Sequence, residues 1–290
     1  MRLIRPSFNI VEQLPGLDGV YKQIELAGRT CYKSEDKITE ESAKKFVDTM
    51  IKSGHGAMLE HGTVYLEIPF TDSKLIRRYK DNKYSIFIET RGTSHCVTTN
   101  YRVLVENNWL DDLQYICEPT RLHEKRITVC FVCDRGVSHE FVRHRVFSFA
   151  QESTRYCNYS KDKFGDEITY ILPIWMNAAQ LGRHNSKLIR EQCKDCCEKN
   201  GFSAEDMLEI NYLDSLATAE LDYFSLLKGG WAPQKARDVL PNSLKTELVM
   251  TGTISQWEGF FKLRDDVHAH PQAYELANPL HEEFIKRNLI

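Results

Sequence analysis

Residues 143–156 read Arg143-His144-Arg145-Val146-Phe147-Ser148-Phe149-Ala150-Gln151-Glu152-Ser153-Thr154-Arg155-Tyr156. Arginines, a histidine, serines and a glutamine packed this closely are the equipment of an anion site. A guanidinium is a planar fork that binds phosphate or a carbonyl edge through paired, charge-assisted hydrogen bonds. Hydroxyl and amide groups beside it complete such a site. A solvated basic helix face is the alternative. At helical spacing, however, Phe147, Phe149 and Ala150 interleave with the polar groups instead of segregating from them. Ser153 sits in no Gly-x-Ser-x-Gly elbow, so it reads as a hydrogen-bonding ligand and not as a nucleophile.

Other reactive side chains are less organised. His55 with His61, and His268 with His270, suggest metal pairs. No carboxylate or cysteine set accompanies either pair, and no metal is expected. His268 reads instead as orienting neighbours in the site or bonding the backbone. The chain has nine cysteines, an odd number without a secretion signal, which read as reduced thiols. In the apolar run from Ile127 to Cys133, strand alternation would put Cys130 and Cys133 on opposite faces. Cys193, Cys196 and Cys197 fall in a charged helical stretch. No Gly-x-Gly-x-x-Gly or Walker loop occurs, so a bound dinucleotide would not sit on a Rossmann unit.

These residues must be positioned by the 290-residue chain as a whole, which is long enough for a sizeable core. Its net charge of −3 excludes the global basic field of a non-specific nucleic-acid binder. There is no run of eighteen apolar residues to span a membrane, and the apolar stretch at the N-terminus is expected to be too short for a signal peptide. A cytoplasmic location is expected, with no nucleic-acid or membrane partner.

Periodicity predicts a helix over 39–53, with Ala43, Phe46, Val47, Met50 and Ile51 as its apolar stripe, Thr39 as N-cap and Gly54 at C′. Thr63–Ile68 reads as a strand closed by Pro69. Tyr84–Ile88 and Tyr101–Val105 read as short strand-like pieces, and Ile127–Cys133 as a core strand. Ser138 is expected to cap a helix beginning at His139. Ser203-Ala204-Glu205-Asp206 opens a long helix, stopped by Gly229-Gly230, after which Pro233 opens another. A final pair of helices is predicted over 244–263 and 271–286. Strands and helices mix without strict βαβ alternation, so the fold class is α+β.

The spacing Arg143-His144-Arg145, seven residues, then Ser153 resembles the signature of the flavin-dependent thymidylate synthases (ThyX), and Arg155-Tyr156 fits it too. Four more segments are similar to elements of that family, in the family's order. They are Ala27–Tyr32, His55–His61 with Glu60, Ala236-Arg237-Asp238-Val239-Leu240-Pro241, and Leu263-Arg264-Asp265-Asp266-Val267-His268. The resemblance implies a mixed helix and antiparallel-sheet ThyX-like fold in one catalytic domain, 1–290, carrying an inserted segment at about 71–125. It implies conversion of dUMP to dTMP with methylenetetrahydrofolate, FAD and NADPH, in a homotetramer.

It also implies residue roles. Arg143, His144 and Arg145 would contact FAD, with His55, Glu60, Gln151 and His268 near it and Arg143 also near the nucleotide. Glu140, Gln151, Ser153 and Arg155 would line the dUMP site, Glu140 standing where the family often has glutamine. Arg237 would bind the dUMP phosphate from a neighbouring subunit. Arg264 would be the catalytic cation, facing the uracil and favouring its ionised N3; an arginine suits this because it stays charged and offers a fixed fork. No protein nucleophile is needed.

This chain departs from the pattern in three places. It carries the insertion, it has Ala57 between His55 and Glu60, and it has Thr253, Ser255 and Gly259 where many members contact FAD through asparagine and arginine. Asn100 and Arg102, within the insertion, are candidates to replace that pair; an exposed structural hairpin is the alternative. Two other readings stay open: a module that grips phosphate without catalysis, and a degenerate relative that has lost FAD.

Overall fold

The computed structural model describes residues 1–161, 164–198 and 203–290. The chain opens with β1 (Arg2–Ile4), β2 (Ser7–Val11) and α1 (Gly16–Tyr32). Next come α2 (Ser42–Lys52), α3 (Gly56–Leu59) and β3 (Thr63–Pro69). The segment singled out as an insertion holds α4 (Ser73–Asp81), β4 (Ile86–Ile88), β5 (Ser94–Asn100) and α5 (Tyr101–Asn107). The motif region follows as β6 (Arg126–Asp134), α6 (Arg135–Phe141) and β7 (Ser148–Gln151). Beyond it lie β8 (Thr169–Ile171), β9 (Gly182–Arg183), α7 (Ser186–Glu198), α8 (Ala204–Lys228) and α9 (Pro233–Ala236). The chain ends in β10 (Lys245–Thr253), α10 (Ile254–Arg264) and α11 (Pro271–Lys286).

Among the described residues three sheets result, with strand orders β8-β1-β9, β2-β6-β10-β7 and β3-β5-β4. The second, wholly antiparallel, carries the motif, and β10 lies at its centre with β6 on one side and β7 on the other. The architecture is therefore α+β, as the pattern implied. No described helix is long and apolar enough to cross a membrane.

Strand β10 corrects the expectation of one helix over 244–263. Lys245 and Glu247 alternate with buried Thr246 and Leu248, and Leu248 to Thr253 are buried throughout. A strand enclosed on both faces reads as a continuous apolar run, which periodicity cannot separate from a buried helix. The helix starts only after Thr253, its N-cap, whose hydroxyl accepts from Gln256 N while Gln256 Oε1 accepts from Thr253 N, a capping box.

Tyr101–Val105 is helical, not strand-like, because the Asn100 side chain accepts from Val103 N and starts a helix. Ser138 is not a cap. Asp134 caps α6 by accepting from Val137 N at 2.8 Å, and Ser138 lies buried inside the helix. Thr39 likewise precedes α2 without capping it, since the helix begins at Ser42 after Glu41.

Gly54 does sit at C′, with φ of 70°. His55 N donates to Met50 O at 2.9 Å and Gly54 N to Ile51 O at 3.1 Å, a Schellman ending that sets the direction of the chain into His55. The long helix opens on the expected Ser203–Asp206 capping box, and α11 spans the expected residues.

Two cores matter for the site. In one, Phe131, Phe141, Phe147, Trp257, Phe260 and Phe284 pack together, joining β6, α6, the approach to β7, α10 and α11. The Trp257 and Phe147 rings meet at 4.7 Å. Side chains of this size each contribute about 2–3 kcal/mol on burial. In the other, Val64, Leu66, Leu75, Tyr79, Val97 and Leu104 pack on Val20, Ile24, Val47 and Met50. Residues 73–107 thus form a packed layer on α1 and α2, not an exposed hairpin.

Gly54→Ala is expected to lower stability by about 1 kcal/mol, since a Cβ disfavours positive φ. Gly259→Ala, inside α10 with nothing within 4 Å of an added Cβ, is expected to raise it by about 0.5–1 kcal/mol. Urea unfolding midpoints of the two variants check these opposite signs.

Candidate functional site

The turn between α6 and β7 is built by burial on one side and exposure on the other. His144 N donates to Phe141 O at 3.1 Å and Phe147 N to His144 O at 3.1 Å, so the chain coils tightly. Phe147 is buried, and the His144 ring packs on Phe260 at 5.0 Å between centroids. Arg143 and Arg145 are left exposed, and neither side chain has a hydrogen bond or ion pair among the described residues.

Arg264, at the end of α10, reaches this turn. Its Nη1 donates to Glu140 Oε2 at 2.5 Å, its Nη2 to the Glu140 carbonyl at 2.9 Å, and its Nε to His144 Nε2 at 3.1 Å. The Arg264 side chain is only 17% exposed. A guanidinium has five N–H groups, so two remain for a ligand. Because His144 Nε2 accepts a bond, its proton must sit on Nδ1 and the ring is neutral. Burial, and then the charge of Arg264, push its pKa down to about 4.

Gln151, at the end of β7, donates through Nε2 to Ser138 Oγ at 2.8 Å and to Thr246 Oγ1 at 3.3 Å. Ser153 lies in the following turn. Its N donates to Cys31 O at 3.0 Å, and its Oγ accepts from Arg155 N at 3.3 Å. Arg155 is exposed over the Tyr156 ring, which in turn meets Tyr32. Arg237 reaches the same turn, donating through Nη1 to Thr154 Oγ1 at 3.0 Å. Residues from three separated segments, 151–156, 237 and 31–32, therefore meet at the exit of β7.

Beneath this turn lies a charge network that sequence reasoning missed. Glu152, only 2% exposed, pairs with Lys245 at 2.8 Å, Lys245 pairs with Glu247 at 2.5 Å, and Glu247 pairs with Lys33 at 2.9 Å. Buried charges require such pairing. The Lys245-x-Glu247 alternation was the available signal, and it is visible only when 245–253 is read as a strand.

The His55–Glu60 turn stands apart from Arg264 in its contacts. Glu60 pairs with Arg102 at 2.6 Å, and its carbonyl accepts from Arg126 Nη1 at 2.9 Å. Asn100 is spent on capping α5, so of the two candidates from the insertion only Arg102 touches the turn. It lies across Gly56, where an added Cβ would stand 3.0 Å from Arg102 Nε. His61 is fully buried, with Nδ1 bonded to Thr251 Oγ1 at 2.8 Å and a pKa pushed down to about 3 by burial.

Thr253 and Ser255 are also spent, Thr253 on its capping box and Ser255 on Glu124. His268 is exposed, with its backbone N donating to Asp266 Oδ1 at 2.8 Å, and among the described residues its ring makes no bond to Arg264. Among the described residues no cluster of three or more His, Cys, Asp and Glu side chains is placed to hold a metal. Cavities of about 630 Å³, beside Gln13, Tyr65 and Arg287, and about 660 Å³, beside Arg2, Lys33 and Glu152, do not include Arg264.

Residues 113–287 match the family described as thymidylate synthase complementing protein, Thy1. Flavin-dependent thymidylate synthases of Corynebacterium diphtheriae and Corynebacterium aurimucosum are 24% and 26% identical over 256 residues, covering 88% of this chain and 70% and 71% of theirs. That of Mycobacterium tuberculosis is 31% identical over 147 residues, 49% of this chain and 50% of its own. A crystal structure of the UMP/dUMP methylase PolB from Streptomyces cacaoi, bound with 5-Br UMP, aligns over 99% of this chain and 92% of that one, at 17% identity and a TM-score of 0.44.

The pKa of His144 lies near 4 in the fold against an ordinary value of 6.5, so the folded state favours the neutral ring. Its contribution to stability is present above pH 6.5 and is lost as pH falls toward 4. His61 acts with the same sign. Urea midpoints measured across this range should fall with acidification, and His144→Gln should flatten part of that fall. An unchanged slope in the variant would contradict a neutral His144.

Proposed function

We propose that this chain, which belongs to the thymidylate synthase complementing protein family, converts dUMP to dTMP as a FAD-dependent methyltransferase. Methylenetetrahydrofolate is the one-carbon donor and NADPH the reductant. The observation that carries the reading is Arg264, a half-enclosed guanidinium held by Glu140 and His144 with two N–H groups unspent beside the Arg143–Arg145 turn. A fixed cation of this kind suits the imide edge of a uracil, where charge develops as electron density moves onto C5. A site that only grips phosphate has no need of it.

FAD fits the residues at hand. Arg143 and Arg145 are exposed cations without side-chain partners among the described residues, suited to the diphosphate of a dinucleotide. His144 stands between them, with Gln151, His55, Glu60 and His268 completing the proposed flavin set. When bound, reduced FAD supplies the hydride and mediates one-carbon transfer, so the protein itself binds and orients.

Gln151, Ser153 and Arg155 line the nucleotide at the exit of β7, with Arg143 shared between nucleotide and flavin. Arg237, held on the same turn by its bond to Thr154, binds the phosphate, and the chain assembles as a homotetramer. Glu140 completes the pyrimidine end. Residues 1–290 act as one catalytic unit in the cytoplasm, with the layer at 71–125 bracing the His55–Glu60 turn through Arg102.

The test is the visible spectrum of the purified protein with FAD, before and after anaerobic NADPH. Bleaching, followed by dTMP formation on adding dUMP and methylenetetrahydrofolate, is the expected result. The absence of flavin binding at saturating FAD would overturn the reading. Arg264→Ala should keep the flavin and lose dTMP formation by about 10²-fold or more.

A further inference from the structure

The inserted layer and the core of the motif-bearing sheet do not close completely on each other. An open cleft of about 630 Å³ runs between them. Ile10, Ile127 and Leu289 line it from the aromatic core, and Val20 and Ile116 from the core of the inserted layer. Two contacts fix the β3 edge in its wall. The Gln13 side chain stands in for a strand, donating to Thr63 O and accepting from Thr63 N, both at 2.8 Å. Further along, Cys117 N donates to Tyr65 O at 2.9 Å. Tyr65 lines the cleft as well, with its hydroxyl accepting from Arg126 N at 2.9 Å.

The charges of the lining are unevenly matched. Both of its carboxylates are engaged, Glu12 by Arg287 at 3.3 Å and Glu118 by Gly16 N at 3.2 Å. Lys125 is exposed, and its side chain has no hydrogen bond or ion pair among the described residues. The neighbouring Arg126 guanidinium bonds the Glu60 carbonyl and the hydroxyls of Thr63 and Ser148, and no carboxylate is in contact with it. A cation withdrawn from water without an anion beside it is costly.

We infer that this cleft is a binding site for a planar, largely apolar molecule carrying one acidic group. The ring lies between the two apolar walls against Tyr65, and the anion sits on Lys125 at the rim, beside Arg126. The volume, and apolar walls with few polar groups, are those of small-molecule sites. An uncharged ligand would leave both cations as they are, and a cationic one would add a like charge next to them.

The site stands apart from the proposed nucleotide site. Helix α1 begins at the cleft with Gly16, while its last residues, Cys31 and Tyr32, meet the turn at the exit of β7. Those ends are separated by the helix, 17 residues or about 25 Å long. Arg126 links the cleft to the Glu60 turn and to Ser148 of the motif. The inference itself does not depend on the proposed chemistry.

The experiment is equilibrium dialysis of 8-anilinonaphthalene-1-sulfonate against the full-length protein, with FAD and dUMP at saturation to cover the cations of the motif. N-phenyl-1-naphthylamine, the same ring system without the sulfonate, is the neutral control. One sulfonate should bind per chain, about tenfold or more tighter than the amine, as a charge-assisted contact implies. Lys125→Glu should lower the sulfonate affinity by about tenfold or more and leave the amine within about twofold. Lys74→Glu, the same charge change on the exposed side of α4, should leave both within about twofold, since distant surface charges are screened. Melting temperatures report that both variants are folded. Absence of saturable binding, equal affinity for the two probes, or a Lys125→Glu no weaker than Lys74→Glu would overturn the inference. Failure of FAD or dUMP to bind would remove the proposed function and leave these comparisons intact.

Discussion

A guanidinium that is 17% exposed cannot stay in a folded protein without partners, and the region around Arg264 is organised by that requirement. Three of its N–H groups are satisfied, two by Glu140 and one by His144. Both partners come from α6 and the turn after it. To meet them, α10 must lie against that turn in one register. The aromatic core supplies that register, because Trp257 and Phe260 of α10 interlock with Phe131, Phe141 and Phe147. Packing brings the helices together, and the charge requirement selects the side chains that face each other where they meet.

The remaining cations divide into spent and unspent ones. Arg126 is surrounded by neutral acceptors, the Glu60 carbonyl and the hydroxyls of Thr63 and Ser148, and burial pushes its pKa down to about 10. Lys33 and Lys245 are tied to Glu247, and Lys245 also to Glu152. These hold elements together. Arg143 and Arg145 have no side-chain partners among the described residues, and Arg155 has only the Tyr156 ring. Arg143, Arg145 and Arg155 are exposed cations that the fold leaves available to an anionic ligand, and all three lie close together within one motif.

The segment at 71–125 gains its place by building a second core. Tyr79 and Leu104 are fully enclosed, and Arg78 donates through Nη1 to both carboxylate oxygens of Asp112, at 2.8 and 2.7 Å. The layer is therefore rigid enough to carry Arg102 to Glu60. Asn100 cannot share that task, because its side chain starts α5.

What local sequence determined is what local forces decide. Gly54 ends α2 because only a residue tolerant of positive φ fits there, the Ser203–Asp206 box starts α8, and α11 runs over the residues its pattern marks. The motif's residue types and spacing likewise raised the expectation of an anion site, and local sequence set the exposure of Arg143 and Arg145 beside buried Phe147. Tertiary structure decided the rest. Whether 245–253 became a strand depended on having β6 and β7 on either side of it, which no window of sequence contains. Ser138 became a support for Gln151 once Asp134 had taken the cap. The meeting of Arg264 with Glu140, 124 residues apart, likewise came from long-range packing, because a short sequence window fixes backbone preference but not which distant charge a half-buried cation will find.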